Sequence, residues 1–322
     1  MIKLVCPKCK IKLEQKGNDL VCLKCEFVLN KTEGVYKANN VDEANEKKFY
    51  DELYNKEKGS NWIKGLEKEN IFKKILEKIS LSYRRERFFK NNIKGKNNLI
   101  LDLACGAGRA YFREYGEVVG IDLSLRPLEV AKEKYDLVIL GGVDKLPFPD
   151  GIFDYVVSSD FFGHVRNEEK NKIIKEIYRI LKPGGKTLHV IETDSENTWF
   201  KFAHKYPELF QKYFIDQIGG HIGLEMPNKV IERWRENNFE IVKAVKIWGL
   251  IWPIQDYKNM FDNEYQKKSF FIKALVLKSK ILSKLRPARE MINTFLNPIN
   301  SLVEFLTDLN HGQGIMLICQ KK

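Results

Sequence analysis

The stretch Leu99–Ala110, LILDLACGAGRA, runs from apolar residues into a turn of small residues and then an arginine. A short apolar run that breaks into glycines reads as a buried strand entering a nucleotide-binding turn. The first glycine of the dinucleotide pattern G-x-G-x-x-G is missing. Ala104 stands in its place, while Gly106 and Gly108 remain. A pyrophosphate needs close backbone approach and several N–H donors, which is why dinucleotide sites favour three glycines. Ala104 is therefore a handicap for NAD, and a ligand without phosphate tolerates it.

The residues beyond the turn fit this reading. EVVGIDL reads as the next strand and ends in Asp122, twenty residues beyond Asp102. An acid about 20 positions on bonds ribose hydroxyls in dinucleotide-binding folds. PLEVAKEKY reads as a helix, LVILG as a third strand and FDYVVSSD as a fourth. EEKNKIIKEIYRIL is a second helix that stops at KPGG, and KTLHVIE is a fifth strand. Strands alternating with helices predict an α/β fold with a parallel sheet.

From about Leu99 to Glu192 the chain resembles the class I S-adenosylmethionine (SAM) dependent methyltransferases of the type 11 kind. The pieces that match are LDLACGAG, GIDLS, DKLPFPDGIFDYVVSS and IYRILKPGGKTLHV. The resemblance implies a Rossmann-like sheet of seven strands and SAM as methyl donor. By the same resemblance, Asp102, Ala104, Gly106 and Gly108 shape the turn beneath the methionine part, Asp122 holds the ribose hydroxyls, and Leu123 lies against the adenine. Val143 touches the adenine from the loop after the third strand, and Ser159 belongs to the cofactor site. The family often has GDAEKLPF, whose Asp bonds the adenine amino group. This chain reads GGVDKLPF, with Gly142 at that position, so Asp144 or a backbone carbonyl is expected to make the contact.

Cys6, Cys9, Cys22 and Cys25 form two C-x2-C pairs with twelve residues between them. Each tight turn aims two thiolates at one point, and a short hairpin at KGND brings the turns together. Four sulfur ligands in a tetrahedron are the closed geometry of structural zinc. Knuckles of this kind often carry Gly after the second cysteine, where this chain has Lys10 and Glu26. The expected organisation is a zinc ribbon over residues 1–34, a helical lead-in over 35–95 that covers the cofactor site, and the methyltransferase domain over 96–322. In the lead-in, Tyr50 and Tyr54 are four apart and share a helix face.

Two insertions depart from the generic core, at about 194–226 and 249–313. The first is aromatic-rich and carries His204, His221 and Glu225, followed by a helix opening at Pro227 and a sixth strand, FEIVKAVKIWG. The second separates that strand from a seventh, GIMLICQKK. It contains QKKSFFIKALVLKSKILSKLRPAR, in which Phe271, Leu275, Ile281, Leu282 and Leu285 are placed on one face. Such a helix packs against the core as a cap or rests on an anionic membrane.

A hydroxyl or protonated amine acceptor needs a base. Asp160 and His164 follow the fourth strand, Glu192 and Asp194 the fifth, and His221 comes from the first insertion; His221, His164 and Asp160 are the catalytic candidates. The expected acceptor is a small, sugar or lipid-like molecule methylated on oxygen or nitrogen. The alternatives are an RNA base, with the ribbon binding RNA, or a non-enzymatic scaffold. A net charge of +12 agrees with RNA or a membrane surface but equally with a solvated lysine-rich exterior. The start MIKLVCPKCK lacks a secretory apolar core, and no run approaches the ~20 residues that cross a bilayer, so a cytoplasmic protein is expected.

Overall fold

The computed structural model describes residues 2–39, 81–212, 220–247, 263–285 and 305–322, with isolated positions between them. Tyr50 and Tyr54 lie outside the described residues. Four short antiparallel strands open the chain: β1 (Glu14–Lys16), β2 (Asp19–Val21), β3 (Val28–Thr32) and β4 (Val35–Ala38). Helix α1 (Leu81–Asn92) leads into β5 (Asn98–Leu103), β6 (Gly116–Asp122), helix α2 (Leu125–Ala131), β7 (Leu137–Leu140) and β8 (Phe153–Ser159). Helix α3 (Asn167–Ile180) then feeds β9 (Leu181–Glu192). Ile173, Ile174, Ile177 and Ile180 recur at helical spacing and bury one stripe of α3 against the sheet.

Strands β7, β6, β5, β8 and β9 lie side by side and run parallel. The chain walks outward from β5 through β6 to β7, then returns to β8 on the other flank. Between β5 and β8 the order reverses, and in open α/β sheets ligands bind beyond the carboxyl ends of the strands at that point. Residues Asp102, Asp122 and Asp160 all fall at or just past those ends.

The expected seven strands form one side of an eleven-stranded sheet, from β7 to β10, with four more added beyond β7. The added four are the N-terminal ribbon, whose β4 pairs parallel with β7 through Val35↔Val138, Tyr36↔Ile139 and Lys37↔Leu140. An open edge presents a row of unpaired backbone groups, and the ribbon covers this one. Leu13, Phe27 and Leu29 join Ile139, Leu146 and Phe148 in one buried cluster, and the Val5 N–H donates to the Pro147 carbonyl at 3.0 Å. The ribbon strands reach Ala38, past the boundary at residue 34, because β4 is the strand that makes this contact.

Past β9 come helices α4 (Thr198–His204), α5 (Pro207–Phe210) and α6 (Pro227–Glu236), then β10 (Phe239–Ile247), α7 (Asn263–Lys268), α8 (Phe270–Lys284) and β11 (Gly314–Lys321). Strand β11 pairs antiparallel with β9 and β10, and Gly314 lies opposite both Glu192 and Ile247. The second insertion therefore leaves and rejoins the sheet at the ligand end. Its helices meet the first insertion there: Phe200, Ala203, Phe261, Tyr265, Ile272 and Val276 form a separate buried cluster. On α8, Leu275 and Leu282 turn inward to that cluster, while Phe271, Ile281 and Leu285 are exposed. At 100° per residue the five residues placed on one face span an arc of about 120°, and Leu275 and Leu282 are at the edge of it nearest the buried Ile272, so the arc is divided between the cluster and solvent.

Candidate functional site

Three residues of the turn after β5 sit in the left-handed region: Ala104 at φ +51°, Gly106 at +52° and Gly108 at +71°. Gly108 is required twice over, since a Cβ there would come within 3.2 Å of the Ala131 Cβ and the Tyr135 ring. Ala104 bears a Cβ in a conformation that costs an L-residue about 1 kcal/mol. The missing glycine is thus a conformational cost carried within an otherwise intact turn.

The turn is locked to the neighbouring strand. The Cys105 N–H donates to the Ile121 carbonyl at 3.1 Å, and the Gly106 N–H donates to Asp122 Oδ2 at 2.8 Å. The Ser124 N–H donates to Asp122 Oδ1 at 2.9 Å. Each carboxylate oxygen keeps lone-pair capacity beyond its one backbone donor, so Asp122 is oriented and still able to accept. Burial pushes its pKa up to about 6, with the backbone donors opposing.

Asp102 lies beneath the turn, wholly buried. Its Oδ2 accepts from the Tyr135 hydroxyl at 2.6 Å and from Arg109 at 3.3 Å, and the Arg109 N–H donates in turn to the Tyr135 oxygen at 2.7 Å. Burial raises its pKa, while Arg109 and Tyr135 favour the charged form. The other oxygen, Oδ1, has no hydrogen-bond partner among the described residues. A buried carboxylate oxygen left over beside a glycine turn suits a ligand that brings its own positive donor, as the ammonium of an amino acid does.

Val143 follows β7 and packs partly against the main core, while Asp144 is exposed. A Cβ at Gly142 would lie 3.1 Å from Asp144 Oδ1, so the Asp144 carboxylate stands beside the space a side chain at 142 would enter. Leu123 is half-buried next to Asp122.

A second group gathers at the ends of β8 and β9. Asp160 holds φ +57°, a strained value for a residue with a Cβ. Its Oδ2 accepts from Arg85 of α1 and from the buried Ser159 hydroxyl at 3.2 Å. Burial and the neighbouring Glu192 charge push Asp160 up to about 7, against Arg85. Burial would raise Glu192 too, but His221, His164 and Arg85 together hold it down at about 2. The His221 Nε2 lies 3.8 Å from Glu192 Oε1, and the His221 ring stacks on His164 at 4.5 Å between centroids. Two neighbouring carboxyls are thus pushed in opposite directions, Asp160 up and Glu192 down.

His221 is fixed by a strap from the first insertion. The Gly223 N–H donates to the Gly163 carbonyl at 3.0 Å, and a Cβ at Gly223 would fall 1.7 Å from the Val165 oxygen. Glu225 accepts from the buried Lys170 at 2.6 Å and from Arg233, so buried charges pin the strap to α3 and α6. Removing one member of such a set leaves the others buried and unpaired, which is costly.

In the ribbon the four cysteine sulfurs all lie within 4.8 Å of one another, with Cys6 and Cys25 Sγ atoms 3.5 Å apart. The Cys9 N–H donates to Cys6 Sγ at 3.3 Å and the Lys24 N–H to Cys22 Sγ at 3.4 Å. Lys10 sits at φ +56°, which explains why Gly is frequent there. All four thiols are free of disulfides.

The structure therefore brings Asp102, Ala104, Gly106, Gly108, Leu123 and Asp122 together, and separately Ser159, Asp160, His164 and His221. Arg85, Arg109 and Tyr135 are site residues that sequence reasoning missed. Arg109 directly follows the glycine turn, a signal that could have found it; Tyr135 and Arg85 lie outside any pattern.

Comparisons decide the family. The profile described as a methyltransferase domain matches residues 101–189. The demethylmenaquinone methyltransferase of Listeria monocytogenes serotype 4a is 33% identical over 222 residues, covering 56% of this chain and 92% of that protein. The chain belongs to the SAM-dependent methyltransferases. The demethylmenaquinone methyltransferase of Listeria welshimeri is 30% identical over 222 residues, covering 56% of this chain and 93% of that protein. Among solved structures, a phosphoethanolamine N-methyltransferase of Haemonchus contortus aligns at a TM-score of 0.45 and 20% identity, over 75% of this chain and 53% of that one.

The strain at Ala104 has a measurable consequence. Ala104→Gly should raise the melting temperature by about 1–3 °C, since relief of the left-handed Cβ outweighs the added freedom of the unfolded chain. A melting temperature that falls would mean the alanine methyl makes packing contacts worth more than the strain.

Proposed function

We propose that this methyltransferase transfers the methyl group to an oxygen or nitrogen of a small-molecule, sugar or lipid-like acceptor, and that the His221–Glu192 pair removes the acceptor's proton. The observation that carries this reading is the placement of that pair, 3.8 Å apart at the carboxyl end of β9, with His221 on the strap that the Gly223 N–H ties to Gly163. SAM, when bound, supplies a methyl group on a cationic sulfur. Asp102 would receive its ammonium, Asp122 its ribose hydroxyls, and Leu123 and Val143 would flank the adenine. Asp144 would make the adenine amino contact that Gly142 lacks. Ala104, Gly106, Gly108 and Ser159 would complete the wall.

In-line displacement at an activated carbon asks mainly that the acceptor atom be held close and aligned. His221 takes the proton as the acceptor attacks, and the ionised Glu192 stabilises the imidazolium that forms. Asp160, whose carboxyl is pushed upward by burial and by Glu192, would hydrogen-bond the acceptor's polar group, while His164 stacks on His221 and fixes its plane. The names of the Listeria relatives carry demethylmenaquinone, which supports a small-molecule acceptor.

The four cysteines would hold one Zn2+ with no open position, a structural role that keeps the ribbon in shape on the sheet edge. This sets the metal apart from the chemistry.

Incubating the protein with methyl-labelled SAM and a cell extract split into RNA, lipid, protein and small-molecule fractions tests the acceptor class. Label in the lipid or small-molecule fraction is expected, and label confined to RNA would overturn it in favour of the RNA reading. With the labelled acceptor, His221→Ala should lower kcat by about 100-fold or more while SAM affinity holds; an unchanged kcat would remove the base assignment. Elemental analysis should find one zinc per chain, lost when Cys6 and Cys9 are changed to Ser. Metal-free wild-type protein with an intact fold would refute the zinc assignment.

A further inference from the structure

Helix α8 carries a second apolar stripe that its packing does not use. Its inner face, Ile272, Leu275, Val276 and Leu282, is spent on the cap cluster. At 100° per residue, Phe270, Ala274, Leu277, Ile281 and Leu285 fall on the opposite side within one narrow sector. Phe270 is 88% exposed, Leu277 59%, and Ile281 and Leu285 53% each. Further along the same insertion Phe295, Phe305 and Leu306 are also exposed. A cluster of large exposed apolar side chains marks a contact surface.

The charges around the stripe say what it meets. Lys273, Lys280 and Lys284 flank it on one side and Lys278 on the other, all exposed, and no acid occurs between Phe270 and Leu285. Lysines beside an apolar stripe can lay their methylene stems along it and hold their ammonium groups at the level of lipid phosphates. A second copy of the chain is a poor occupant, because a two-fold contact would press this lysine-lined face against itself. A nucleic acid would use the lysines and leave the leucines and phenylalanines in water. No helix among the described residues is long and apolar enough to cross a membrane, so the helix can only lie along a surface.

We propose that the outer face of α8, through Phe270, Leu277, Ile281 and Leu285 with Lys273, Lys278, Lys280 and Lys284, docks the protein on an anionic lipid bilayer. This stands apart from the acceptor: it concerns where the enzyme works, whatever it methylates.

Sedimentation of the full chain with vesicles tests it. Vesicles of phosphatidylcholine with about a third phosphatidylglycerol should bring the protein down, and vesicles of phosphatidylcholine alone should bring down far less, since each lysine near an anionic surface contributes roughly a fivefold gain in binding. Leu277→Asn with Ile281→Asn should weaken binding at least about tenfold, as should Lys280→Glu with Lys284→Glu. Both changes lie on exposed positions, and the melting temperature and SAM affinity should stay at wild-type values. No binding to anionic vesicles overturns the proposal, as does undiminished binding by the Leu277→Asn, Ile281→Asn protein. A dimer in ultracentrifugation that the same pair of changes dissociates would assign the face to a second copy instead, and binding to an RNA homopolymer without binding to vesicles would assign it to nucleic acid.

Discussion

The hydrogen bond from the Gly106 N–H to the Asp122 carboxylate joins the turn after β5 to the end of β6. Everything at the cofactor end depends on it. It needs a left-handed backbone at Gly106, a neighbour at Gly108 without a side chain, and an acid placed where β6 stops. The same bond orients the carboxylate that would hold a ribose. Asp102, one layer below, is oriented by Tyr135 and Arg109 and leaves one oxygen unmatched. A dinucleotide fold would have relaxed the turn with a third glycine. This chain carries Ala104 in strain, a cost that is tolerable where no pyrophosphate must approach.

The group at the ends of β8 and β9, proposed to meet the acceptor, is built by different means. Its residues come from four places: Asp160 from just past β8, Glu192 from the end of β9, Arg85 from α1, and His221 from an insertion. Buried charges hold the insertion, with Lys170 and Arg233 converging on Glu225. The second insertion returns to the sheet opposite Glu192 and packs on the first. Both additions to the core thus lie at the same end of the sheet, the end at which the proposed transfer would be enclosed.

The glycine turn, the spaced acid and the cysteine pairs were legible in the sequence because each is a local pattern with a fixed spacing. That the central strands form a parallel sheet followed from the alternation of apolar runs and helices. The docking of the ribbon was not legible, because β4 joins β7 by backbone pairing that any short apolar strand can make. The face of α8 was misread for a related reason. Its apolar residues serve two stripes at once, and only the neighbours Phe200 and Tyr265 separate Leu275 and Leu282 from Ile281 and Leu285. The pairing of Arg85 with Asp160 spans 75 residues and leaves no trace in spacing.

The reading of the cofactor end stands or falls on whether the turn and Asp122 form a working SAM site. Calorimetric titration of the purified protein with SAM, beside Asp122→Ala, decides it. One SAM per chain is expected for the wild type, and an affinity at least about tenfold weaker for the variant, since two ribose hydroxyls lose a charged acceptor. Equal affinity in the two proteins, or no heat of binding at millimolar SAM, would contradict it.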